Sequence, residues 1–283
     1  MIPAAGLGTR LLLATKEQPK EMLPVFAEVA DGGICLKPIV QLVFEQLCRA
    51  SFMQVCFIIG RGKRAIEDHF TPDGSYVSIL NSRGRRREAA ALMEFYELVN
   101  RLRILWATQA EPAGFGDAVL RAESFVGSSE FLVHAGDTYV ISENDQHLSR
   151  LLGAHHRLGA DATFIVRRVL DPKQYGLAMG TKIEEGTYQV QTVVEKPDVP
   201  QTDLAIMPMY VFKPTIMQAL ESTSPGKGGE IQLTDAIQRL IDGGGKVYAV
   251  ELSEDEIWLD IGSPESYWEA LKASYQYANR RRS

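Results

Sequence analysis

Short apolar runs alternate with segments of helical period along the first half of the chain. The runs predict buried strands at residues 1–5, 54–60, 103–108 and 130–135. Between them, apolar residues recur every three or four positions, as on one face of a helix. This second pattern predicts a helix from Pro38, one around Ile66, and helices at 88–100 and 117–122, with a long loop before Pro38. Strands that alternate with helices favour a mostly parallel sheet covered on both faces.

The pattern changes after about residue 160, where apolar runs follow one another with less helix between them. The runs at 163–169, 188–195 and 204–212 predict antiparallel strands that join or flank the sheet. A glycine-rich break at 226–229 precedes a predicted helix at 231–241. Strands at 247–251 and 257–259 and a closing helix from about Pro264 complete the pattern. It predicts one α/β core with a substrate-side extension rather than two independent domains.

Composition and charge narrow the class of protein. With 283 residues, 45% of them hydrophobic, the chain is long enough for a sizeable core without disulfides or structural metal. Its net charge of -6 disfavours a nucleic-acid binder, since that class is usually basic. The cysteines form no C-x-x-C pair, and no stretch approaches the roughly 20 apolar residues of a membrane helix. We therefore expect a cytoplasmic protein with neither a nucleic acid nor a membrane as partner.

The first predicted strand runs into a glycine-rich turn, Gly6-Leu7-Gly8-Thr9-Arg10. Glycine permits a tight turn in which backbone N–H groups approach an anion closely. Leu11 stands where a dinucleotide-binding fingerprint has its third glycine, which disfavours an oxidoreductase, and the Gly-Lys-Ser/Thr of a P-loop is absent. Instead, Arg10, Lys16 and Lys20 follow the turn. Three cations at one glycine turn predict a site for a triphosphate.

This beginning, GLGTR followed by ATK and PKEMLP, resembles the nucleotide-sugar pyrophosphorylases. Within them, it is most similar to the UTP–glucose-1-phosphate uridylyltransferases. Further motifs of that family recur in the expected order at 109–119, 132–137, 175–176, 194–197 and 229–235. Each motif alone is a weak signal, but their order over most of the chain makes the resemblance specific.

The resemblance implies the fold of the nucleotide-diphospho-sugar transferases. This is a Rossmann-like three-layer α/β sandwich with a mixed, mostly parallel central sheet and a small sugar-side extension. Residues 1–283 would form a single domain, with a nucleotide-binding half at 1–160 and a sugar-binding half at 161–283. The implied reaction is Mg²⁺-dependent and makes UDP-glucose and pyrophosphate from UTP and glucose 1-phosphate. We expect a homodimer or homotetramer.

The resemblance also assigns catalytic residues through its motifs. Arg10 and Lys20 match the positions that contact the triphosphate, and Lys196 matches the position that holds the sugar phosphate. Asp137 matches the metal-binding end of a strand, where open α/β sheets place ligand sites. Asp260, in the segment WLDIG, is the predicted second metal ligand. Mg²⁺ commonly takes one or two carboxylates together with phosphate oxygens.

Binding residues follow from the same motifs. The predicted nucleotide contacts are Ala5, Gly6, Gly8, Thr9, Gln109 and Gly114. We expect Gln109 to read the uracil edge with its amide and Gly114 to let the backbone approach the base. The predicted sugar contacts are Gly176, Glu195 and Lys196. Since Glu195 and Lys196 are neighbours at the end of a strand, they face opposite sides unless the chain bends between them.

Two alternatives remain open from the sequence. The first is a thymidylyltransferase that uses dTTP, because Leu13 in place of proline, an insertion at 31–35 and WLDIG depart from the commonest uridylyltransferase pattern. One methyl group in an apolar pocket changes binding by only about 1–3 kcal/mol, so it discriminates weakly. The second is a regulatory module that keeps the fold without catalysis. Such a module would be expected to lack one of the four predicted catalytic residues, and all four are present.

Overall fold

The computed structural model describes residues 1–29 and 33–280. Their strands are β1 (Ile2–Ala4), β2 (Pro24–Glu28), β3 (Ile34–Pro38), β4 (Gln54–Gly60), β5 (Arg103–Gln109), β6 (Phe131–His134), β7 (Thr138–Ile141), β8 (Ala162–Arg168), β9 (Gly176–Glu184), β10 (Thr187–Glu195), β11 (Leu204–Phe212), β12 (Val247–Glu251) and β13 (Ile257–Asp260). Their α-helices are α1 (Ile39–Arg49), α2 (Arg64–His69), α3 (Gly74–Ser82), α4 (Arg86–Arg101), α5 (Phe115–Leu120), α6 (Glu123–Val126), α7 (Gln146–Leu158), α8 (Thr215–Glu221), α9 (Leu233–Asp242) and α10 (Pro264–Arg280).

A mixed sheet forms the centre of the molecule. One part contains β1, β4 and β5 in parallel, and the other has the order β6-β11-β8-β12-β10-β9. The N–H groups of His134 and Gly136 donate to the carbonyl oxygens of Met1 and Pro3, each at 3.0 Å, and so join β6 to β1. β11 is antiparallel to both β6 and β8, whereas β12 is parallel to β8. The expected α/β fold with a mixed central sheet is confirmed.

Both faces of this sheet are buried, each under its own apolar cluster. Ile58 and Phe164 belong to the cluster covered by α5, α8 and α9. Their neighbours Phe57 and Ile165 belong to the opposite cluster, which includes residues of α1, α4 and α7. Successive strand residues thus point into different apolar layers, which explains why these strands appear in the sequence as continuous apolar runs.

Most predicted elements have the expected positions, but the segment before Pro38 does not. A loop was expected there, and the structure instead has the hairpin of β2 and β3, in which Val25 pairs with Lys37. These strands lie outside the main sheet and are only half-buried, with Leu36 56% exposed, so they lack an apolar run. Of the predicted insertion at 31–35, Asp31 and Gly32 lie outside the described residues, and the end of it lies in β3.

Two further differences concern strands that are too polar or too short to predict. β7 has four residues and pairs with β13, and β9 has exposed residues over more than half its length.

Among the described residues, no helix combines the length and apolar character needed to cross a membrane.

Two fully buried histidines lie at the end of β6 and at the start of α7. His134 and His147 are both 0% exposed. The Nδ1 atom of His134 is 2.8 Å from the carbonyl oxygen of Ala135, whereas neither ring nitrogen of His147 has a hydrogen-bond partner among the described residues. Burial lowers the pKa of each imidazole to about 4. Both rings are therefore uncharged at neutral pH.

We predict that the protein loses stability between pH 6.5 and 4. An unfolded histidine has a pKa near 6.5, so in this range the unfolded chain binds protons that the folded chain does not. Each buried histidine should lower the free energy of unfolding by up to about 1.4 kcal/mol per pH unit as the pH falls. Urea unfolding at a series of pH values measures this slope.

The variant His147→Leu tests the contribution of one ring, because it removes a titrating group without breaking a hydrogen bond. Its free energy of unfolding should depend less steeply on pH over the same range. Equal slopes for the variant and the unaltered protein would contradict the prediction.

Candidate active site

The glycine-rich segment after β1 forms a tight turn at the carboxyl edge of the sheet. Gly8 adopts the left-handed conformation with φ +65°, which favours glycine. The hydroxyl of Thr15 donates to the carbonyl oxygen of Gly8 at 2.8 Å and fixes the turn. A single 3₁₀ turn, Thr9–Leu11, follows directly. The predicted backbone turn is therefore present, and its N–H groups lie at the edge where parallel strands end.

A cleft of about 460 Å³ opens at this edge. That volume lies within the usual range for small-molecule sites, roughly 300–1,000 Å³. Every predicted nucleotide contact lines it, together with two of the predicted catalytic residues: Ala5, Gly6, Gly8, Thr9, Gln109, Gly114, Lys20 and Asp137. The fold thus brings residues from three distant motifs into one cavity.

Lys20 and Asp137 form an ion pair within the cleft. The ammonium group of Lys20 contacts the carboxylate of Asp137, and the two side chains are 17% and 18% exposed. Burial by itself lowers the pKa of Lys20, but the negative charges of Asp137 and Glu21 outweigh it and raise the pKa above its ordinary value. Lys20 therefore stays charged at neutral pH and is available to an anion in the cleft.

Asp260 lies beside Asp137 because β13 pairs with β7. Asp260 is opposite Thr138 in this pairing, and the N–H of Ile261 donates to the carbonyl oxygen of Asp137 at 3.0 Å. Burial, followed by the negative charge of Asp137, raises the pKa of Asp260. The charges of Lys20 and Arg10 act in the opposite direction.

These two carboxylates fit a divalent cation. The charge of Asp137 raises the cost of ionising Asp260, and a hard cation between oxygen ligands would relieve that repulsion. Groups of three or more His, Cys, Asp or Glu side chains suited to a metal are absent from the part of the chain that the structure describes. Asp137 and Asp260 would therefore share the ion with water or with oxygens of a bound phosphate, as Mg²⁺ sites commonly do.

The predicted sugar contacts lie outside the lining of the cleft. Gly176 and Glu195 pair across β9 and β10. Lys196 has a φ of +40°, and this bend places its Nζ atom 3.2 Å from Oε1 of Glu195. The two side chains therefore lie on the same side, which strand alternation allows only with such a bend. The hydroxyl of Thr234 donates to Oε2 of Glu195 at 2.7 Å.

Arg10 and Asp260 lie outside the cleft lining but close to each other. A Cβ atom at Gly262 would lie 2.7 Å from Oδ2 of Asp260 and 3.2 Å from Nη2 of Arg10. Both charges also act on Tyr175, the neighbour of Gly176: burial and then Asp260 raise the pKa of Tyr175, while Arg10 opposes the change.

Gln109 and Gly114 have structural roles that their motif did not predict. Nε2 of Gln109 donates to the carbonyl oxygen of Gly114 at 2.9 Å and to Oδ2 of Asp117 at 2.8 Å. A Cβ atom at Gly114 would lie 2.6 Å from the carbonyl oxygen of Ile231, and φ there is +109°. The close approach of the Ile231 main chain therefore requires glycine at position 114, whether or not a nucleotide base binds beside it.

A buried ion pair next to Lys20 was not expected from the sequence. Nζ of Lys63 donates to Oε2 of Glu21 at 2.8 Å, and the side chains are 8% and 2% exposed. Lys16, by contrast, is 74% exposed, lies 3.4 Å from Glu17 and is not among the residues that line the cleft. The position of Lys63 just after β4 could have indicated that it lies near the glycine turn, since β4 is parallel to β1 and the two strands end at the same edge.

Comparison with known proteins identifies the family. Residues 1–276 match the family model described as nucleotidyl transferase. UTP–glucose-1-phosphate uridylyltransferase 2 of Streptococcus pyogenes is 35% identical over 98% of this chain and 89% of its own. A UDP-glucose pyrophosphorylase complexed with UDP-glucose has a TM-score of 0.83 and 30% identity, covering 98% of this chain and all of that one. The UTP-bound enzyme of Acinetobacter baumannii has a TM-score of 0.81 and 30% identity, covering 96% and 91%.

The chain therefore belongs to the nucleotidyl transferase family. Within this family, its relatives are UTP–glucose-1-phosphate uridylyltransferases, which confirms the resemblance seen in the motifs. Nucleotidyltransferases of this family generally use a divalent metal, and the neighbouring carboxylates at the sheet edge fit that requirement.

We predict that Lys63→Met strongly destabilises the protein. The substitution leaves the carboxylate of Glu21 buried without its partner, which typically costs about 3–5 kcal/mol. The double variant Glu21→Gln/Lys63→Met removes both charges and should recover at least half of that loss. Urea unfolding gives the free energies.

The matched control is Lys16→Met, which removes the same ammonium group from an exposed position. Its free energy of unfolding should stay within about 0.5 kcal/mol of the unaltered protein. If Lys63→Met lowers the free energy of unfolding no more than the control does, the buried pair does not stabilise the protein.

Proposed function

We propose that this protein forms UDP-glucose and pyrophosphate from UTP and glucose 1-phosphate. The observation that carries the proposal is the cleft at the sheet edge, with its glycine turn, its Lys20–Asp137 pair and the Glu195–Lys196 bend beside it. Relatives named for this reaction, and neighbours bound to UTP and to UDP-glucose, support the choice of substrates.

The nucleotide would occupy the cleft with its base against the wall formed by the 109–118 segment. Main-chain groups of Ala5 and Gly6 face the base in this arrangement. The amide nitrogen of Gln109 is engaged within the protein, so its Oε1 atom would accept the N3–H of uracil. Gly8 and Thr9 would approach the phosphates through the turn.

The triphosphate needs positive charge, and two side chains of the site supply it. Arg10 offers a planar guanidinium suited to bidentate phosphate contact, and Lys20 offers a point charge near the α-phosphate. Asp137 and Asp260 would hold Mg²⁺. When bound, the ion would neutralise the negative charge that develops on the transferred group.

The sugar phosphate would lie at the bend beside the cleft. Lys196 binds its phosphate, while Glu195 accepts hydrogen bonds from sugar hydroxyls, with Thr234 fixing one oxygen of that carboxylate. Gly176, opposite Glu195 in the sheet, leaves room for that carboxylate and for the Thr234 hydroxyl, since a Cβ atom there would lie 3.0 Å from each of them. These roles agree with the charge that each part of the substrate carries.

The reaction itself requires positioning more than acid–base chemistry. An oxygen of glucose 1-phosphate attacks the α-phosphorus of UTP, and the bond from that phosphorus to the bridging oxygen breaks as pyrophosphate leaves. A phosphate monoester is largely dianionic at pH 7, because its second pKa is near 6. The main barrier is repulsion, about 4 kcal/mol for each pair of unit charges at 4 Å with an effective dielectric near 20. Cations along the sheet edge reduce it.

We also propose that residues 1–283 form one nucleotidyltransferase domain with a nucleotide-binding half at 1–160 and a sugar-binding half at 161–283. Both apolar clusters draw on residues from before and after residue 160, so neither half has a core of its own.

Pyrophosphate release across a matrix of nucleoside triphosphates and hexose 1-phosphates, with Mg²⁺ present, tests the proposed activity. We expect the highest kcat/KM for UTP with glucose 1-phosphate. A clear preference for dTTP would assign the chain to thymidylyltransferase chemistry instead. Absence of pyrophosphate release for every pair would refute the enzymatic function.

The variant Asp137→Asn is the control for this assay. It keeps the size of the side chain but removes the charge that pairs with Lys20 and would hold the metal. We expect kcat to fall by at least about 100-fold, in the range typical for loss of an electrostatic contact to the reacting groups. Near-normal turnover would exclude Asp137 from the catalytic machinery.

A further inference from the structure

The loop before α9 contains a lysine, Lys227, whose shorter polar contact is with the main chain rather than with an acidic side chain. Nζ of Lys227 donates to the main-chain carbonyl oxygen of Lys196 at 2.6 Å. Its nearest acidic group, the carboxylate of Asp198, is 3.4 Å away and 98% exposed. The shorter contact thus goes to the backbone of a residue assigned to the sugar phosphate.

The backbone of Lys196 needs such support. Its φ of +40° lies in the left-handed region, which is unfavourable for a residue with a Cβ atom. The N–H of Lys196 donates to the carbonyl oxygen of Tyr175 at 3.1 Å. With Lys227 on its carbonyl, both polar backbone groups of Lys196 are held at the bend that turns its side chain toward Glu195.

Lys227 is itself anchored to the wall of the nucleotide cleft. Nε2 of Gln232 donates to the carbonyl oxygen of Lys227 at 3.1 Å, and the N–H of Gly226 donates to that of Glu230 at 2.9 Å. Glu230 lines the cleft. The N–H of the next residue, Ile231, donates to the carbonyl oxygen of Ala113 at 2.8 Å. This bond joins the loop that holds Lys227 to the 109–118 segment, which would face the base.

We propose that Lys227 is a positioning residue for Lys196. Its ammonium group holds the carbonyl of Lys196 so that the strained bend directs the Lys196 side chain at the phosphate of the sugar substrate. This inference rests on the proposed function, because it assigns Lys196 to that phosphate. Lys227 acts through the backbone of another residue and makes no contact with substrate.

The kinetic test uses Lys227→Met, with Lys182→Met as its matched control. Both lysines are about half exposed, at 52% and 48%, and each has one acidic neighbour, Asp198 or Glu185. For Lys227→Met we expect KM for glucose 1-phosphate to rise about three- to tenfold, the effect of one lost hydrogen bond of ordinary strength, because Lys227 acts on the substrate only through Lys196. KM for UTP should stay within about twofold, and Lys227→Arg, which keeps a donor, should retain most of the affinity.

A double-mutant cycle separates positioning from direct contact with the substrate. Calorimetry measures UDP-glucose affinity, which requires no turnover, in Lys227→Met, Lys196→Ala and the double variant. If Lys227 acts only through Lys196, its substitution should have no further effect once the Lys196 ammonium is gone. Additive losses would overturn the proposal, because they would show that Lys227 contacts the substrate independently.

Two kinetic outcomes would also overturn it. The first is a KM for glucose 1-phosphate in Lys227→Met equal to that in Lys182→Met. The second is an equal rise in KM for both substrates. Failure of the proposed function would appear differently, as a lack of pyrophosphate release from UTP and glucose 1-phosphate by the unaltered protein.

Discussion

The contact between the ammonium group of Lys20 and the carboxylate of Asp137 is the interaction on which the site depends. The two residues are far apart in the chain and meet because β1 and β6 are neighbours that end at the same edge. Each charge is largely buried, and each would be costly to bury without the other. The glycine turn, the cleft and the second carboxylate are all arranged around this pair.

Local charge at this edge differs from the charge of the whole chain. The protein is acidic, with a net charge of -6, yet the predicted phosphate contacts are three cations, Arg10, Lys20 and Lys196. The carboxylates of Asp137 and Glu195 pair with Lys20 and Lys196, so they balance much of this positive charge. A polyphosphate and a divalent cation can then enter together, because each compensates charges that the other leaves exposed. This balance explains how an acidic protein recognises polyanionic substrates.

The predictability of each feature follows from its physical origin. The buried strands were found because both faces of the sheet are apolar, as the opposite environments of Phe57 and Ile58 show. The hairpin of β2 and β3 was missed because its half-exposed residues carry no such signal. Lys63 was missed because closeness to a turn in the sequence does not determine which lysine is buried next to it: Lys63 is buried, whereas Lys16 is exposed.

The sugar side was predictable in its residues but not in its geometry. The motif identified Glu195 and Lys196, whereas their shared side depends on a left-handed residue that local sequence does not reveal. Lys227 supports that bend from a loop more than thirty residues away, which only the folded chain brings near. Gly114 is similar, since the close approach of Ile231 explains its glycine.

The buried ammonium group of Lys20 is held in the cleft, where we expect it to receive the triphosphate. Calorimetric titration of UTP into the unaltered protein and into Lys20→Met, both without divalent cation, tests this expectation. UTP should bind the variant at least about tenfold more weakly, the effect of losing a charge-assisted contact. Equal affinity of the two proteins for UTP would contradict it.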